Sequence, residues 1–327
     1  MELTLLNLLQ FVALGALVVF ILAVIFVYMT TDPKPDMRRY DSENYFLDPT
    51  AENDQKRPFP SLRDESSLDL SVIVPSYNEE LRLPVMLDEA IDFLENKQRG
   101  NETFTYEVIV VDDGSKDSTT KVALEYSKKY GTERVRVLTL AKNRGKGGAV
   151  RLGMLSARGK RVLFADADGA TKFADLEKLE ESLQEINPKK DNMAIVCGSR
   201  AHLQEESVAE RSLFRTVLMY GFHFLVWFLC VRGVRDTQCG FKLMTRETAA
   251  RLFTSLHVNR WAFDVELLYL AQALKIPITE VAVNWHEIDG SKMVPIFSWL
   301  QMGKDLLLIR LRYMLGVWRI NDKVKLQ

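Results

Sequence analysis

Four short apolar runs, rich in β-branched residues, constrain the fold of this chain more than any other feature. They occupy residues 70–74, 106–111, 135–140 and 161–165. The longer segments between them, such as LPVMLDEAIDFLENK and STTKVALEYSKKY, have the apolar spacing of amphipathic helices. Short strands that alternate with helices form a parallel sheet covered by helices on both faces. The sequence therefore predicts an α/β fold with a doubly wound, mostly parallel sheet.

The N-terminal segment has the composition of a membrane helix. No charged residue occurs from Leu3 to Thr31, and residues 11–29 are almost entirely apolar. About 20 apolar residues are enough to cross the hydrocarbon core of a bilayer. A cleaved signal peptide is the alternative, but it would have a basic start, a shorter apolar run and a small-residue cleavage site. We predict a retained, single-pass transmembrane anchor over residues 1–31.

The charged residues that flank this anchor predict its orientation. Lys34, Arg38 and Arg39 follow it, and no Lys or Arg precedes it. The positive-inside rule then leaves the body of the protein in the cytosol. Asn101 lies in the glycosylation acceptor pattern NET. We expect Asn101 to stay unmodified, because acceptor sites on the cytosolic side are not used.

Composition and motif searches exclude several classes of protein. The net charge of -1 gives no basic excess, so nucleic acid is not an expected partner. The three cysteines (Cys197, Cys230 and Cys239) are too scattered for a disulfide framework or a CxxC metal site, which indicates a reducing compartment. The sequence contains no GxxxxGK[ST], GxGxxG, HExxH or GxSxG motif. The four histidines show no ligand spacing, and we interpret them as structural.

The remaining segments predict a stalk, a body and membrane-proximal helices. Residues 32–68 are rich in Pro and charged residues without apolar periodicity, which favours a stalk; the body would span 69–245 and a C-terminal part 246–327. Residues 216–231 are charge-free and aromatic, either a buried core helix or an in-plane membrane segment. Residues 295–320 mix aromatic, aliphatic and basic side chains, typical of an amphipathic helix at a membrane interface or packed on the domain.

The chemistry is predicted from the loops that follow the four strands. These loops read PSYNEE, DDGSKDST, KNRGKGGAVRLG and DADG, and ligands of open α/β sheets bind outside the carboxyl ends of the strands. Asp166 and Asp168, two residues apart, would share one face. They could hold Mg²⁺ or Mn²⁺ for a diphosphate leaving group. A lone DxD is often a solvated turn, but its position at a strand end beside the other loops favours the metal.

These motifs resemble a known family. VIVPSYNEE, VIVVDDGSKDST, KNRGKGGAVRLG, ADADGAT and GSRAH are similar to the A-type fold of inverting nucleotide-sugar glycosyltransferases. RDTQCGFKL, RWAFDVELL and the N-terminal anchor narrow the resemblance to the dolichyl-phosphate β-glucosyltransferase family, over nearly the whole chain. The resemblance implies UDP-glucose as donor, dolichyl phosphate as acceptor and inversion at the sugar. It also implies a place at the cytosolic face of the endoplasmic reticulum membrane, where the product supplies glucose for protein N-glycosylation.

The resemblance also assigns site residues, and residues 69–245 become the glycosyltransferase domain. By motif, the resemblance implies a catalytic pair, nucleotide-sugar ligands, metal ligands and acceptor-phosphate ligands. The catalytic pair is Asp168 and Arg200. The nucleotide-sugar ligands are Pro75, Tyr77, Glu79, Asp113 (expected to accept the uracil N–H), Lys146, Asp166, the backbone of Ala167, and Asp168. The metal ligands are Asp166 and Asp168. For the acceptor phosphate they are Arg200, Arg211, Arg215 and Lys242.

Three alternatives stay open. Relatives that transfer mannose have a GSFR-like motif where this chain has QCGFK, which favours glucose. Glucosyltransferases that use a lipid hydroxyl, such as that of ceramide, have a QxxRW-type motif; the chain has HVNRW, and we interpret Arg260–Trp261 as structural. The third alternative is a membrane-tethered binding protein without turnover; such a protein need not keep the DAD motif, so the intact motif favours an enzyme.

A phosphate acceptor needs no general base, so Asp236 is interpreted as a loop-ordering acid paired with Arg235 or a backbone N–H.

Overall fold

A seven-stranded sheet forms the centre of the part of the chain that the structure describes. The structure is a computed structural model and describes residues 5–51, 55–186, 192–203, 213–288 and 295–320. The strand order is β5-β4-β3-β6-β8-β7-β9. Neighbouring strands are parallel except that β8 runs antiparallel to both β6 and β7. The strands are β3 (Leu68–Ser76), β4 (Tyr106–Asp112), β5 (Val135–Thr139), β6 (Gly159–Ala165), β7 (Ile195–Ser199), β8 (Phe241–Thr245) and β9 (Ile278–Ala282).

Helices cover both faces of this sheet. They are α1 (Leu5–Thr30), α2 (Leu83–Gly100), α3 (Thr119–Tyr130), α4 (Lys146–Met154), α5 (Leu176–Ile186), α6 (Leu213–Leu229), α7 (Arg246–Phe253), α8 (Phe263–Ala273) and α9 (Pro295–Met314). Alternate residues of β3 separate the two layers, because Val72 and Val74 pack with α2, α3 and α5. Ile73 packs on the other side with α4, α7 and α8. The predicted doubly wound, mostly parallel α/β fold is confirmed.

The register of the strands brings the predicted loops together. Ser76 at the end of β3 lies opposite Asp112 at the end of β4. Ile73 is paired with Phe164 of β6 on its other side. The loops after β3, β4 and β6 therefore leave the sheet at one edge, where the acids of the predicted site meet.

The N-terminal helix is long and apolar enough to cross a membrane. Residues Asn7–Thr30 form a candidate span of 24 residues, of which 6% is buried in the protein. The end of this helix is tied to the C-terminal segment: Tyr28 Oη donates to the carbonyl of Leu315 at 2.5 Å, and Arg312 Nε donates to Thr31 Oγ1 at 3.1 Å. The C-terminal end of α1 is thus held by side-chain hydrogen bonds to the C-terminal segment.

The segment predicted as a stalk is partly folded onto the body. A 3₁₀ turn (Asp41–Asn44) leads into a hairpin of β1 (Tyr45–Asp48) and β2 (Gln55–Pro58). Phe46 and Phe59 lie 5.1 Å apart, and the guanidinium of Arg136 lies within 5.5 Å of both rings. The prediction of a stalk over 32–68 departs from the structure because these two aromatic residues pack against β5, a contact that local periodicity does not reveal.

The two aromatic segments form helices with one buried and one exposed face. In α6, Phe222 and Val226 are buried, whereas Trp227 is 51% and Phe228 is 59% exposed. In α9, Met302, Leu306 and Ile309 are buried, and Leu300 and Leu307 are exposed. Both are thus amphipathic. The predicted boundary at residue 245 separates no structural unit, because β9 pairs with β7 and continues the sheet.

Candidate active site

Two cavities share a wall at the carboxyl edge of the sheet. The first, of about 310 Å³, is lined by Pro75, Tyr77, Glu79, Asp113 and Lys146 among others. The second, of about 280 Å³, is lined by Asp166, Ala167, Asp168 and Arg200 among others. Pro75, Glu79, Lys146 and Trp261 line both, so the cavities form one continuous cleft. Every predicted nucleotide-sugar residue lies on this cleft.

Asp113 is held by the loop that follows β5. Its Oδ1 accepts the backbone N–H of Arg144 at 2.6 Å, and its Oδ2 accepts that of Gly145 at 2.9 Å. Gly145 has φ +83°, a left-handed conformation that suits glycine. Burial raises the pKa of Asp113 to about 6, although these two hydrogen bonds oppose the shift. Asp113 is therefore a buried carboxylate with acceptor capacity left for one further donor.

A buried glutamate from the predicted stalk supports the same loop. Glu43 is fully buried; its Oε2 accepts Arg144 Nη2 at 2.6 Å, and its Oε1 accepts the N–H of Ala141 at 3.0 Å. The segment next to the anchor thus fixes the loop that holds Asp113. No local sequence pattern marks Glu43, because its contacts span about a hundred residues.

The loop at 257–261 closes the other side of the first cavity. Buried Glu266 accepts the N–H groups of His257 and Val258, at 3.0 and 2.6 Å. Arg260 and Trp261 then line the first cavity, and Lys146 Nζ lies 5.9 Å from the Trp261 ring centroid. Our interpretation of Arg260 and Trp261 as structural departs from this placement, since both form a wall of the cleft.

The two acids of DAD follow β6 directly. Asp166 Oδ1 lies 2.6 Å from Lys146 Nζ, and its N–H donates to the carbonyl of Gly240 at 3.0 Å. A Cβ added at Gly240 would overlap the carboxylate of Asp166, so the carboxylate can keep this position only if residue 240 is glycine. Asp168 Oδ1 accepts the N–H of Ala170 at 3.0 Å.

The electrostatics of this pair suit a divalent cation. The pKa of Asp168 is raised, first by burial and then by the negative charge of Asp166. A cation between the two carboxylates would relieve both effects. Within the residues that the structure describes, no third His, Cys, Asp or Glu completes a metal cluster with them. Two carboxylates, with remaining positions for water and phosphate oxygens, match what Mg²⁺ commonly takes from a protein.

Arg200 reaches the cleft as half of an ion pair. Its Nε and Nη2 donate to Asp236 at 2.7 and 2.9 Å. The guanidinium carbon of Arg200 lies 5.5 Å from the ring centroid of Trp285. Burial alone would raise the pKa of Asp236, but the hydrogen bonds and charge of Arg200 outweigh it and lower the pKa. Asp236 also accepts the backbone N–H groups of Arg200 and Gln238 at 2.9 and 3.2 Å, in line with the predicted backbone pairing. Its cationic partner is Arg200 and not Arg235, whose N–H donates to Glu280.

The other predicted phosphate ligands are placed differently. Lys242 lies on β8, is fully buried, and its Nζ contacts Asp264 Oδ1 at 2.6 Å and the carbonyl of Cys239 at 2.7 Å. The prediction that Lys242 receives a phosphate departs from the structure, because an inward-facing strand position is closed off by this pair. Arg211 and the side chain of Arg215 lie outside the described residues.

Three further residues of the cleft were missed by the sequence analysis. Arg82 forms a two-fold ion pair with Glu79, with Nε and Nη2 at 2.7 Å from its oxygens. Asp264 and Trp285 complete the second cavity. Asp264 is part of the RWAFDVELL motif, which entered the prediction through its resemblance alone; its position depends on how α8 packs against α4 and α7.

Comparison with known proteins defines the class and then the family. Residues 71–253 match the family model Glycosyl transferase family 2, which places the chain among those transferases. The chain is 62% identical to the dolichyl-phosphate beta-glucosyltransferase of Mus musculus, over 97% of this chain and 98% of that protein. It is 61% identical to the Homo sapiens protein of that name (98% of each chain) and 42% identical to that of Saccharomyces cerevisiae (97% and 96%). The chain therefore belongs to the dolichyl-phosphate β-glucosyltransferase family, and the predicted resemblance is confirmed.

A solved structure also aligns with this chain. It is glucosyl-3-phosphoglycerate synthase from Mycobacterium tuberculosis in complex with uridine-diphosphate. The TM-score is 0.49 and the sequence identity is 20%, with 83% of this chain and 88% of that chain covered.

Proposed function

We propose that the protein transfers glucose from UDP-glucose to dolichyl phosphate with inversion, giving dolichyl β-D-glucosyl phosphate and UDP. The family supports the sugar and the acceptor. The observation that carries the proposal is the continuous cleft, in which a buried acid that can accept a base N–H lies next to a paired-carboxylate site. This order matches the order of groups in a nucleoside diphosphate sugar.

The first cavity would hold the nucleoside. Asp113 would accept the uracil N–H with the capacity that the loop at 141–145 leaves it. Pro75, Tyr77 and Glu79 would line the ribose and base, with Trp261 on the opposite wall. Because the loop amides already orient Asp113, little ordering would be needed when the donor binds.

The second cavity would hold the diphosphate and a divalent cation, Mg²⁺ or Mn²⁺. Asp166 and Asp168 would bind the cation, which neutralises charge on the departing diphosphate. Lys146, at the N-terminus of α4, would add a second positive charge beside the same phosphates. The backbone of Ala167 lies between the two acids on the same wall.

The acceptor phosphate would enter from the side of Arg200. A phosphate oxygen forms the new bond to the anomeric carbon, the bond from that carbon to the UDP oxygen breaks, and its electron pair leaves with UDP. A phosphate monoester has a second pKa of about 6, so it is largely a dianion at neutral pH and needs no base. Asp236 would hold the Arg200 guanidinium in place, with donors left for the phosphate.

The N-terminal helix supports a membrane-bound enzyme. We place the body on the cytosolic side of the endoplasmic reticulum membrane, as the flanking charges indicate. There both a nucleotide sugar and the phosphate end of a membrane lipid are accessible. The proposal keeps residues 1–31 as the membrane anchor and begins the transferase body at residue 69, and this body extends past residue 245 because β9 continues the sheet.

A second candidate acceptor, a lipid hydroxyl such as that of ceramide, has one observation in its favour. Asp264 lines the second cavity and is buried, which raises its pKa despite the charge of Lys242. A buried carboxyl with a raised pKa is the kind of group that serves as a general base. A phosphate acceptor would not need it.

The test is a matrix of donors and acceptors with the full chain in detergent. UDP-glucose and a mannose nucleotide are each offered with dolichyl phosphate and with ceramide, with and without EDTA. We expect lipid-linked glucose only from UDP-glucose and dolichyl phosphate, lost with EDTA and restored by Mg²⁺ or Mn²⁺. Asp168→Asn should abolish transfer without lowering the melting temperature, and Asp92→Asn, an exposed acid on α2, should change neither. Glucosylceramide as product, or normal transfer by Asp168→Asn, contradicts the proposal.

A further inference from the structure

A pocket of about 240 Å³ lies at the junction between the segment that follows the anchor and the loop after β5. It is lined by Asp36, Arg38, Arg39, Tyr40, Lys142 and Arg144. None of these side chains has a part in the proposed transfer. Four of the six are cations, which is unusual for a concave site and indicates a ligand of opposite charge.

The charges around this pocket do not balance. Asp36 accepts Arg38 Nε at 2.9 Å, and Glu43 beneath the pocket accepts Arg144 Nη2 at 2.6 Å. Two carboxylates therefore face four cations, and an excess of two positive charges remains. The pKa of Arg39 is lowered, first by burial and also by the charge of Arg144, although Glu43 opposes this. A bound anion would offset that repulsion.

Tyr40 holds two of the cations together. Lys142 Nζ and the guanidinium of Arg144 each lie 5.4 Å from the centre of its ring. Aromatic contacts of this kind stabilise like charges at short range without neutralising them. The ammonium and the guanidinium thus both contact the Tyr40 ring and line the same pocket, where one anion could meet both.

The pocket is close to the membrane end of the anchor. Asp36 follows the end of α1 at Thr30 by six residues. Even a fully extended chain of that length spans only about 20 Å. Arg38 has 88% of its side chain exposed. The cations therefore lie within reach of the phosphate layer of the bilayer that α1 would cross.

The same loop links this pocket to the donor cavity. Lys142 and Arg144 line the basic pocket, whereas Asn143 and Gly145 line the donor cavity. The N–H groups of Arg144 and Gly145 are the ones that hold Asp113. An anion bound by the side chains of Lys142 and Arg144 would restrict the backbone that orients Asp113.

We propose that this pocket binds a phosphate group, supplied by the headgroup of an anionic phospholipid, and that binding orders the loop at 141–145 behind the donor cavity. Free phosphate has the same chemistry and is tested separately. The site is distinct from the acceptor side at Arg200. It would make the donor cavity best ordered when the body is seated on an anionic membrane surface.

The experiment measures hydrogen–deuterium exchange of the amides at residues 141–145 in the full chain, held in an uncharged detergent without any nucleotide sugar. Dioctanoyl phosphatidylglycerol, dioctanoyl phosphatidylcholine and inorganic phosphate are added in separate arms. Exchange should slow by about tenfold when the anion is present at ten times its Kd. We expect this with phosphatidylglycerol and not with phosphatidylcholine.

Paired variants test the assignment. Arg38→Ala with Lys142→Ala removes two exposed cations of the pocket and should abolish the protection without changing the melting temperature of the unliganded protein. Lys121→Ala with Lys128→Ala removes the same charge from the exposed side of α3 and should leave the protection intact. Protection by inorganic phosphate alone would also support a phosphate site and would assign it to the free anion.

Two results would overturn the proposal. One is exchange that neither phosphatidylglycerol nor inorganic phosphate slows. The other is protection that persists in the Arg38 and Lys142 variant, or that is lost equally in the α3 control. Because no sugar transfer is measured, failure here is distinct from failure of the proposed glucosyltransferase reaction.

Discussion

In the proposed donor site, the buried carboxyl of Asp113 would make donor binding depend on pH. Its pKa is raised to about 6 by burial, so it is ionised at neutral pH and becomes protonated as the pH falls through about 6. The folded protein holds this proton more tightly than the unfolded chain does. The contribution of Asp113 to the free energy of unfolding therefore decreases as the pH rises from about 4 to about 6. Ionisation of Asp113 thus lowers the stability of the fold and gives the carboxylate that would accept the uracil N–H.

We predict that affinity for UDP-glucose is constant above about pH 7 and weakens below about pH 6, because protonated Asp113 loses acceptor capacity. UDP-glucose, and not UDP, is the ligand for this measurement, because the diphosphate of UDP-glucose has no proton to lose in this pH range. Calorimetric titration across pH 5–8 without acceptor lipid measures the effect. Asp113→Asn should bind weakly and lose this dependence; an unchanged pH profile in that variant would assign the dependence to another group.

The carboxylate of Asp166 fills the space beside the Cα of Gly240, so a side chain at residue 240 would displace it. Gly240→Ala should reduce transfer and Mn²⁺ affinity by roughly 10–100-fold, the range typical of residues that orient metal ligands. Gly100→Ala is the matched control, because a Cβ there meets nothing within 4 Å. Melting temperature and Mn²⁺ titration distinguish a displaced ligand from a misfolded chain. Full activity in Gly240→Ala would show that Asp166 does not need its present position.

Asp236 positions Arg200, and its substitution separates a positioning acid from a catalytic base. Asp236→Asn removes the charge that holds the guanidinium, at a cost of several kcal/mol where an ion pair is this buried. We expect a higher KM for dolichyl phosphate, measurable kcat, and a pH profile still set by the acceptor phosphate. Retained binding of both substrates with no turnover at any pH would instead identify Asp236 as the base.

At the scale of elements, α6 presents an aromatic face that the fold leaves uncovered. Phe224 and Phe228 stack at 5.8 Å, and both rings are more than half exposed. The opposite face, with Phe222 and Val226, joins the core, and α9 packs beside it. An exposed aromatic face on a helix of 17 residues, shorter than the about 20 residues that a membrane span commonly has, suits the membrane interface.

We predict that a chain without residues 1–26, which keeps Val27 and Tyr28 in their contacts, still floats with lipid vesicles. Serine at Phe224, Trp227 and Phe228 should release this truncated chain into solution, because the apolar area that enters the interface is lost. Serine at Leu81 and Val85, exposed apolar positions on the other layer, serves as the control and should have no effect. Vesicle flotation measures the outcome; a truncated chain that does not float with vesicles would assign α6 to ordinary surface.

How far the sequence predicts these elements depends on the range of their contacts. The strands and the loops after them follow from local alternation, so the positions of Asp113, Asp166 and Asp168 could be predicted. Glu43 supports the loop that holds Asp113, and Trp261 lines the cleft. Both positions depend on packing between distant segments, and no periodic pattern marks them. Lys242 was assigned to the acceptor phosphate by the resemblance of its motif, whereas its position on β8 turns its side chain inward to Asp264.

At the scale of the whole molecule, the anchor and the C-terminal helix form one unit. Val27 packs with Ile309 and Trp318, and Trp318 Nε1 donates to the carbonyl of Asp32 at 3.0 Å. Since α9 also packs against α6, the membrane helix is connected through these contacts to the element with the exposed aromatic face. In the proposed membrane-bound enzyme, these packed helices would hold the body at the bilayer together with the chain that follows α1.

Topology gives the last prediction. The 24 residues of Asn7–Thr30 would span about 36 Å as a helix, enough for the hydrocarbon core, and the cations that follow favour a cytosolic body. Asn101 is exposed at the end of α2, so the glycosylation acceptor pattern lies on the protein surface. Its Oδ1 accepts a hydrogen bond from Thr103 Oγ1 at 2.7 Å. In microsomes we expect no glycan at Asn101, whereas an acceptor tag added before Met1 should be glycosylated on the lumenal side. Glycosidase-sensitive mass at Asn101 with an unmodified tag would reverse the orientation, and it would remove the catalytic cleft from the compartment in which the proposed donor is expected.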